Sequence, residues 1–338
     1  MSSFNIQNIA DKAGVCKATV SRVLNTPEIV SQRTRDKVMK VINQLGYTPN
    51  RLGASLRHGR SRNVAVMLPD ITNPYFAPIV RAIEQIASVR GYSVIINDTQ
   101  DNPKLERTFA QMVKNRQADG VITNSQRIPF DIDSKRSIAE QLPPMVNSSE
   151  FIECDDIYKV GVDNFAIGQT AAQHLLSLGH THISAIAGPE NLPSVMARKK
   201  GFETELEKAG LSLDPKYIYY GDYSSLSGEM GVKAIMQHRH RPTAIFCFGD
   251  LVAIGALHAL RELEFVVPDD VSLISVDGIA LSQYCAPPLT TVAQPMEAIG
   301  QHCITTLLDL IEGHQPEQKV RILPHKLIIR KSTAPVRK

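Results

Sequence analysis

The chain has 338 residues, of which 43% are hydrophobic and 21% are charged, a composition that argues against a fibrous or disordered protein. Its length exceeds the usual range of a single hydrophobic core, so we expect a small domain and a larger one. The charge is uneven, because residues 1–62 carry a net +8 and leave −5 on the rest. This asymmetry predicts a polyanionic partner for the N-terminus, with a solvated basic tail as the alternative.

The cysteines and the lengths of the apolar runs indicate in which cellular compartment the protein is expected. The N-terminus lacks the features of a secretory signal, and no run approaches the roughly 18 apolar residues of a membrane span. The five cysteines are scattered and show no C-x-x-C spacing, which is typical of free thiols in a reducing compartment. We therefore expect a cytoplasmic protein.

Apolar periodicity predicts three short helices in the first 46 residues. The first begins near Ile6 and ends at Gly14, where glycine allows a left-handed turn. The second follows Cys16, and the third begins after Ser31, a candidate N-cap, and ends at Gly46. The inward-facing residues of the last two helices are Val20, Val23, Leu24, Val38, Val41, Ile42 and Leu45.

The first two helices have the spacing of a helix-turn-helix unit. Ala10, Gly14 and Val20 lie at the intervals that let two helices cross closely around a tight turn. In such a unit the second helix enters the major groove, and its outer face would carry Lys17, Ala18, Ser21 and Arg22 to base edges. An ordinary helical hairpin with a charged face is the alternative.

A short helix-capable segment follows at residues 50–59, with Leu52 and Leu56 four residues apart. Helices of this length are marginal in water, so we expect this hinge to order only in a dimer or on DNA. Two Leu56 side chains, one from each subunit, could then wedge between base pairs from the minor groove.

Residues 9–25 (IADKAGVCKATVSRVLN) resemble the headpiece of the lactose repressor family, and residues 30–35, 46–50 and the Leu56 hinge also match the family pattern. One departure is Cys16, where the family usually has a Ser or Thr cap. The resemblance implies a DNA-binding, effector-controlled homodimeric repressor that is not an enzyme. The predicted DNA contacts are Asn5, Ile6, Lys17, Ala18, Thr19, Ser21, Arg22, Asn25, Asn50, Arg51, Ala54 and Leu56.

Beyond residue 62, β-rich runs alternate with helical stretches, which predicts parallel sheets with crossover helices. The predicted strands cover residues 63–68, 92–97, 120–123, 183–187, 244–248 and 271–276, with a further apolar strand at 326–330. We predict an all-α helix-turn-helix headpiece (1–48), a hinge (49–61) and an α/β body (62–338) of two doubly wound lobes. The resemblance implies a periplasmic-binding-protein-like body, with lobe 1 at about 62–161 and 293–321 and lobe 2 at about 162–292 and 322–338.

Polar residues follow several of these strands, and ligands of such sheets bind at the carboxyl ends of the strands. By resemblance, Phe76 stacks on the ligand, Arg198 and Asp277 bind its hydroxyls, and Tyr223 supplies a second ring. Without the resemblance, Arg198 could be a surface residue and Asp277 could cap a turn. The full predicted effector set is Tyr75, Phe76, Asp98, Ser125, Asn147, Asp163, Arg198, Tyr223, Asp250, Asp277 and Gln294.

Four stretches resemble the cytidine-responsive branch of the family: residues 127–131, 142–146, 188–190 and 282–295 (SQYCAPPLTTVAQP). They imply a nucleoside effector and control of nucleoside uptake or breakdown genes, with a purine- or sugar-responsive repressor as the alternative. The Leu56 hinge looks more like the purine and lactose repressors, so operator recognition could differ. Whether the chain represses or activates at a given promoter depends on where its operator lies.

Other functional classes find little support. The first predicted strand is followed by LPDITNP rather than a G-x-G-x-x-G phosphate loop, which argues against a Rossmann enzyme. His180 and His182 precede a predicted strand, and their two-residue spacing on a loop is not that of a helical metal site. The missing signal and the basic headpiece argue against a secreted sugar-binding protein. We expect no cofactor, no metal, no membrane contact and, without a C-terminal leucine heptad, no tetramer.

Overall fold

A computed structural model describes residues 5–47 and 60–337 and divides the chain into two compact units, 1–61 and 62–338. The predicted DNA contacts Asn50, Arg51, Ala54 and Leu56 lie outside the described residues, and so does the side chain of Asn25. Within the described ranges, no helix is long and apolar enough to cross a membrane.

The first unit contains the three predicted helices, α1 (Ile6–Ala13), α2 (Lys17–Asn25) and α3 (Gln32–Leu45), with a 3-10 turn at Pro27–Ile29. Gly14 and Gly46 both end helices at φ 58°, the left-handed conformation that glycine adopts without strain. Asn5 caps α1 by accepting hydrogen bonds from the backbone of the first turn. The core of this unit comprises Ile9, Ala10, Ala13, Val20, Val23, Val38, Val41 and Ile42.

The second unit is built on twelve short strands. They are β1 (Asn63–Leu68), β2 (Ser93–Asp98), β3 (Gly120–Thr123), β4 (Met145–Ser148), β5 (Tyr158–Val162), β6 (Ile183–Ala187), β7 (Ile218–Tyr220), β8 (Ala244–Cys247), β9 (Ser272–Asp277), β10 (Thr290–Ala293), β11 (Val320–Leu323) and β12 (Lys326–Ile328). Its helices are α4 (Phe76–Val89), α5 (Pro103–Lys114), α6 (Ile138–Gln141), α7 (Asn164–Ser177), α8 (Pro193–Lys208), α9 (Ser225–Ile235), α10 (Asp250–Glu262) and α11 (Met296–Glu312).

These strands form two six-stranded sheets, one per lobe. The strand order is β11-β5-β4-β3-β1-β2 in the first sheet and β12-β10-β9-β8-β6-β7 in the second, and all pairings are parallel except β10 with β12. The chain passes between the sheets after β5, after β10 and after β11. Two doubly wound parallel lobes are the predicted fold, which the structure confirms.

Close helix pairs hold the second lobe together. On α8, Gly201 approaches α7 so tightly that an added Cβ would lie 1.9 Å from the carbonyl oxygen of Phe165. On α10, Gly255 approaches α9, where a Cβ would lie 1.7 Å from the carbonyl oxygen of Ser225. Glycine is needed because these backbones leave no room for a side chain. The α7–α8 pair thereby fixes the position of Arg198, which lies on α8.

Candidate ligand cavity and nucleic-acid interface

A cavity of about 420 Å³ lies between the carboxyl ends of the two sheets, a size that suits a small-molecule ligand. Loops and helix starts from both lobes line it. Eight of the eleven predicted effector residues are in its wall: Tyr75, Phe76, Asp98, Ser125, Arg198, Tyr223, Asp277 and Gln294. The structure therefore brings together residues that lie more than 200 positions apart in the sequence.

Arg198 is buried in the wall and held in a fixed orientation. Its Nη2 donates to Asn164 Oδ1 at 2.6 Å, and its Nη1 donates to the carbonyl oxygen of Phe248. Its Nε–H is buried with no hydrogen-bond partner among the described residues. Each terminal nitrogen keeps one hydrogen beyond these two bonds, so the guanidinium can still donate to a ligand.

A hydrogen-bond chain crosses the cavity wall from α4 to the end of β9. Gln294 Nε2 donates to Asp277 Oδ1 at 2.8 Å, and its Oε1 accepts from Tyr75 Oη at 3.1 Å. Burial, followed by the neighbouring Asp250 carboxylate, raises the pKa of Asp277 to about 7. Burial also raises the pKa of Tyr75, so its hydroxyl stays a donor. These hydrogen bonds fix the positions of the Asp277 carboxyl and the Tyr75 ring relative to each other.

Three predicted effector residues lie outside the cavity wall, because their polar atoms hold the protein backbone. Asn147 donates to the carbonyl oxygens of Thr123 and Ser125 and accepts from the Ile152 amide. Asp163 is the N-cap of α7, where it accepts from the Ala166 amide at 2.9 Å. In the structure both side chains support the fold instead of lining the cavity, and their contact with a ligand stays a prediction.

Asp250 is the third of these residues and is fully buried. It accepts hydrogen bonds from the hydroxyls of Ser275 and Thr291 and from the Ile279 amide at 2.7 Å. The pKa of this carboxyl is raised because burial penalises its charge. Its role is to join β9, β10 and the loop after β9 beneath Asp277, which does line the cavity.

Sequence reasoning missed Glu150, which lies in the wall three residues from the position expected of Asn147. Its carboxylate accepts from both the amide and the hydroxyl of Ser194, the former at 3.1 Å, and so joins the end of β4 to the start of α8 in the other lobe. Burial raises the pKa of this carboxyl. Because β4 was not among the predicted strands, the strand-end rule that indicated the other residues was not applied here.

Backbone strain concentrates at the cavity. Outside glycine, eight described residues have positive φ, and five of them line the cavity, namely Gln100 (52°), Asp101 (48°), Ser149 (62°), Tyr223 (67°) and Asp277 (107°). Such conformations cost free energy and cluster at functional sites. Tyr223 also packs on Gly188, where an added Cβ would lie 2.2 Å from the ring.

An ion-pair cluster behind the wall positions Ser125. Its hydroxyl donates to the buried carboxylate of Glu106 at 2.9 Å, and Arg127 binds Glu106 through Nε and Nη2 at 3.1 and 2.8 Å. Arg127 also pairs with Asp101 at the cavity rim. The Ser125 oxygen also accepts from the Arg127 amide at 3.2 Å, so this hydroxyl is held from both sides.

The first unit presents the outer face of α2 to solvent. Lys17, Ala18 and Arg22 are exposed, while Thr19 and Ser21 are half-buried, and Val20 and Val23 pack into the core. Cys16 is the N-cap residue, and its side chain makes no capping hydrogen bond. Its thiol contacts the Thr19 hydroxyl at 3.2 Å, an interaction that lowers the pKa of Cys16.

The two predicted contacts before α2 have different surroundings. Asn5 is exposed, but its side-chain oxygen accepts from the amides of Gln7 and Asn8. Ile6 is half-buried against the small core. A contact from Asn5 to DNA would therefore use its side-chain nitrogen.

Comparison with known proteins bears on both units. The family model "Bacterial regulatory proteins, lacI family" matches residues 5–50, and that of a periplasmic binding protein-like domain matches residues 172–333. The chain is 38% identical over 330 residues to the HTH-type transcriptional repressor CytR of Escherichia coli strain K12, covering 97% of this chain and 96% of the relative.

Solved structures give the same picture. A crystal structure of the lac repressor dimer bound to operator and the anti-inducer ONPF matches with a TM-score of 0.85 and 27% identity, covering 98% of this chain and all of that chain. A LacI family regulator from Enterococcus faecium with bound ribose matches with a TM-score of 0.72 and 29% identity, covering 81% of this chain and all of that one.

Proposed function

Because this chain belongs to the lacI family of bacterial regulatory proteins, we propose that it is a repressor whose hold on operator DNA is controlled by a nucleoside, with cytidine as the first candidate. The coarser part of this function follows from the family. The chain is a DNA-binding transcriptional repressor that acts as a dimer on operator DNA and responds to a small molecule. The nucleoside and the individual contact residues are proposals.

The observation that carries the nucleoside is the make-up of the cavity wall. Arg198 and Asp277 supply a fixed donor and an acceptor, which suit the vicinal hydroxyls of a ribose. Tyr75 and Phe76 supply two rings at 77° to each other, with centroids 5.0 Å apart, against which a flat base can pack. The volume of about 420 Å³ accommodates both parts of such a ligand.

The DNA half of the proposal assigns base reading to α2 and the wedge to the hinge. Lys17 and Arg22 are exposed on α2, and an arginine can bind a guanine edge through two hydrogen bonds. The resemblance assigns the minor-groove wedge to Leu56. We expect Leu56→Ala to weaken specific operator binding at least tenfold in a gel shift, and unchanged affinity would rule out the wedge.

Titration calorimetry tests the effector. The purified protein is titrated with cytidine, adenosine, uridine, purine bases and hexoses under one set of conditions. We expect the nucleosides to bind and the hexoses not to bind. Binding of hexoses alone would overturn the nucleoside and leave a sugar-responsive repressor, the second candidate, which the matched ribose-bound regulator supports.

We also propose that the cavity binds its ligand without converting it. The relatives are transcriptional regulators, and in this family a ligand acts by shifting the protein between conformations. Recovery of unchanged cytidine after prolonged incubation with the protein is the expected outcome, and a chromatographically distinct product would contradict it.

A further inference from the structure

We propose that the cavity selects its effector by charge, so that it admits an uncharged or cationic nucleoside and excludes the phosphorylated form. This inference rests on the proposed function, because it concerns the same cavity and the same class of ligand. It adds a rule that neither the family nor the relatives supply, namely which member of a nucleoside and nucleotide pair the protein senses.

The charges of the wall carry the first step. Six carboxylate side chains line the cavity, whereas Arg198 is the only lysine or arginine among its described lining residues. The six are Asp70, Asp98, Asp101, Glu150, Asp222 and Asp277. A carboxylate only accepts hydrogen bonds, so this wall matches the hydroxyl and amino hydrogens of a nucleoside, whereas phosphate oxygens offer it no hydrogen.

Two of the N–H donors of Arg198 are already used within the protein. Two of its nitrogens donate to Phe248 and Asn164, and the ring of Phe248 lies 5.8 Å beneath the guanidinium. The Nε–H is buried, so the Nε edge of the guanidinium does not present to a ligand the open two-pronged face that binds phosphate well, and one hydrogen is left on each terminal nitrogen. Arg127, the other nearby cation, lies outside the lining and pairs with Glu106 and Asp101.

Three backbone amides at or just before helix starts in the second lobe already donate to the protein's own acids. Helix N-termini at the carboxyl ends of strands are the usual anion sites of α/β folds. Here the Ser194 amide at the start of α8 donates to Glu150 at 3.1 Å. The Ala166 amide of α7 donates to Asp163, and the Ser224 amide before α9 donates to Asp222, both at 2.9 Å. A phosphate would have to displace a carboxylate at each of these places.

Electrostatic repulsion determines how much more weakly the phosphorylated ligand should bind. At an effective dielectric constant of about 20, two like unit charges about 10 Å apart weaken binding roughly tenfold. A phosphate dianion in this cavity meets several such charges against the one positive charge of Arg198, and Asp277, with a pKa of about 7, contributes its ionised fraction. We therefore expect a penalty of at least about 100-fold.

The test measures matched pairs by titration calorimetry of the full-length protein. The pairs are cytidine with cytidine 5′-monophosphate, adenosine with adenosine 5′-monophosphate, and glucose with glucose 6-phosphate. In every pair that binds, we expect the unphosphorylated member to bind at least 100-fold tighter. In 1 M NaCl this ratio should shrink, because salt screens the repulsion.

Variants separate the charge rule from a steric explanation. Glu150→Gln keeps an oxygen that can accept from the Ser194 amide but removes one negative charge from the wall. We expect it to narrow the ratio for the cytidine pair at least fivefold, mainly by tightening the monophosphate. Asp98→Asn is a second variant with the same expectation. Glu207→Gln, which removes an exposed acid of α8 outside the lining, should leave the ratio unchanged.

The outcomes distinguish this inference from the proposed function. If only the sugar pair binds and glucose is preferred, the nucleoside fails and the charge rule stands. If a phosphorylated member binds as tightly as its partner, the charge rule is overturned although a nucleoside-type effector survives. A ratio unaffected by Glu150→Gln, Asp98→Asn and salt, or no binding by any uncharged member, also contradicts the charge rule.

Discussion

The helix-turn-helix unit and the two-lobed body use polar side chains in opposite ways. On α2, Lys17 and Arg22 are exposed beside a core of small aliphatic residues. In the cavity, Arg198 and Asp277 are withdrawn from solvent and bonded to fixed neighbours before any ligand arrives. The first surface is open to a partner, which we propose is DNA, whereas the second is organised by the protein itself.

This difference predicts how substitutions behave. Replacing an exposed residue of α2 removes contacts to DNA and leaves the free energy of unfolding nearly unchanged. Replacing a buried residue of the cavity wall removes ligand contacts and also strands hydrogen-bond partners inside the protein. Function and stability should therefore separate in the headpiece and change together in the body.

The largest expected effect is that of Arg198→Ala. The variant loses the donor for ligand hydroxyls and leaves Phe248 and Asn164 without a partner, so ligand affinity should fall at least about 100-fold and the melting temperature should drop. Operator binding should persist, which gives a repressor that no longer responds. Lys199→Ala is the matched control, and equal loss of response in both variants would contradict the assignment.

Arg22→Ala tests the expectation for the exposed face of α2. Loss of a two-pronged contact to a base should reduce discrimination between operator and random duplex by roughly ten- to a hundredfold, with no change in melting temperature. Neutralising Arg51 instead should mainly flatten the salt dependence. Competition gel shifts measure the first quantity and a salt titration the second. Indistinguishable variants would refute this division between base reading and phosphate binding.

The effect of pH on ligand affinity should be smaller than the effects of these two substitutions. With the pKa of Asp277 at about 7, the ionised fraction rises from roughly one tenth at pH 6 to nine tenths at pH 8, so affinity should rise up to about tenfold. The free energy of unfolding should change with pH in the opposite direction. The folded pKa lies above the ordinary value of 3.8, so the stabilisation present below about pH 4 is lost as the pH rises to about 7. Calorimetry and thermal melts across this range should show both trends, and Asp277→Asn should flatten them.

Cys16→Ser gives the smallest expected effect. The thiol at the N-cap of α2 makes no capping bond, whereas a serine hydroxyl can accept from the backbone of the first turn. We expect the helix to gain about 1 kcal/mol, seen as slower hydrogen exchange of α2 amides with unchanged exchange in the body. Faster exchange in α2 would show that the contact between Cys16 and Thr19 is the better arrangement.

The sequence predicted the ends of helices better than it predicted the short strands. Gly14 and Gly46 were recognisable as helix ends because glycine at such positions has a conformational reason, and both adopt positive φ. By contrast, β4, β5, β7, β10 and β11 were not predicted, since each is either interrupted by polar residues or only three residues long. Strands this short are defined by pairing with their neighbours rather than by their own composition.

A similar reason explains why three of the predicted effector residues lie outside the cavity wall. Asn147, Asp163 and Asp250 occupy strand ends, as expected, but which way a strand-end side chain points depends on hydrogen bonds to distant backbone that no local pattern records. Glu150 was missed because its strand was missed. The resemblance supplied Arg198 and Asp277, whereas the partners that hold them come from elsewhere in the chain.

The central claim is that a ligand in the body controls the affinity of the headpiece for operator DNA, and one measurement tests it directly. A duplex is first selected from a random pool by the purified full-length protein, and its dissociation constant is then measured with and without saturating cytidine at fixed moderate salt. The account predicts tight sequence-specific binding that weakens at least tenfold on addition of cytidine. No preference for any duplex, or an affinity that is the same at every concentration of every ligand that binds the cavity, would contradict it.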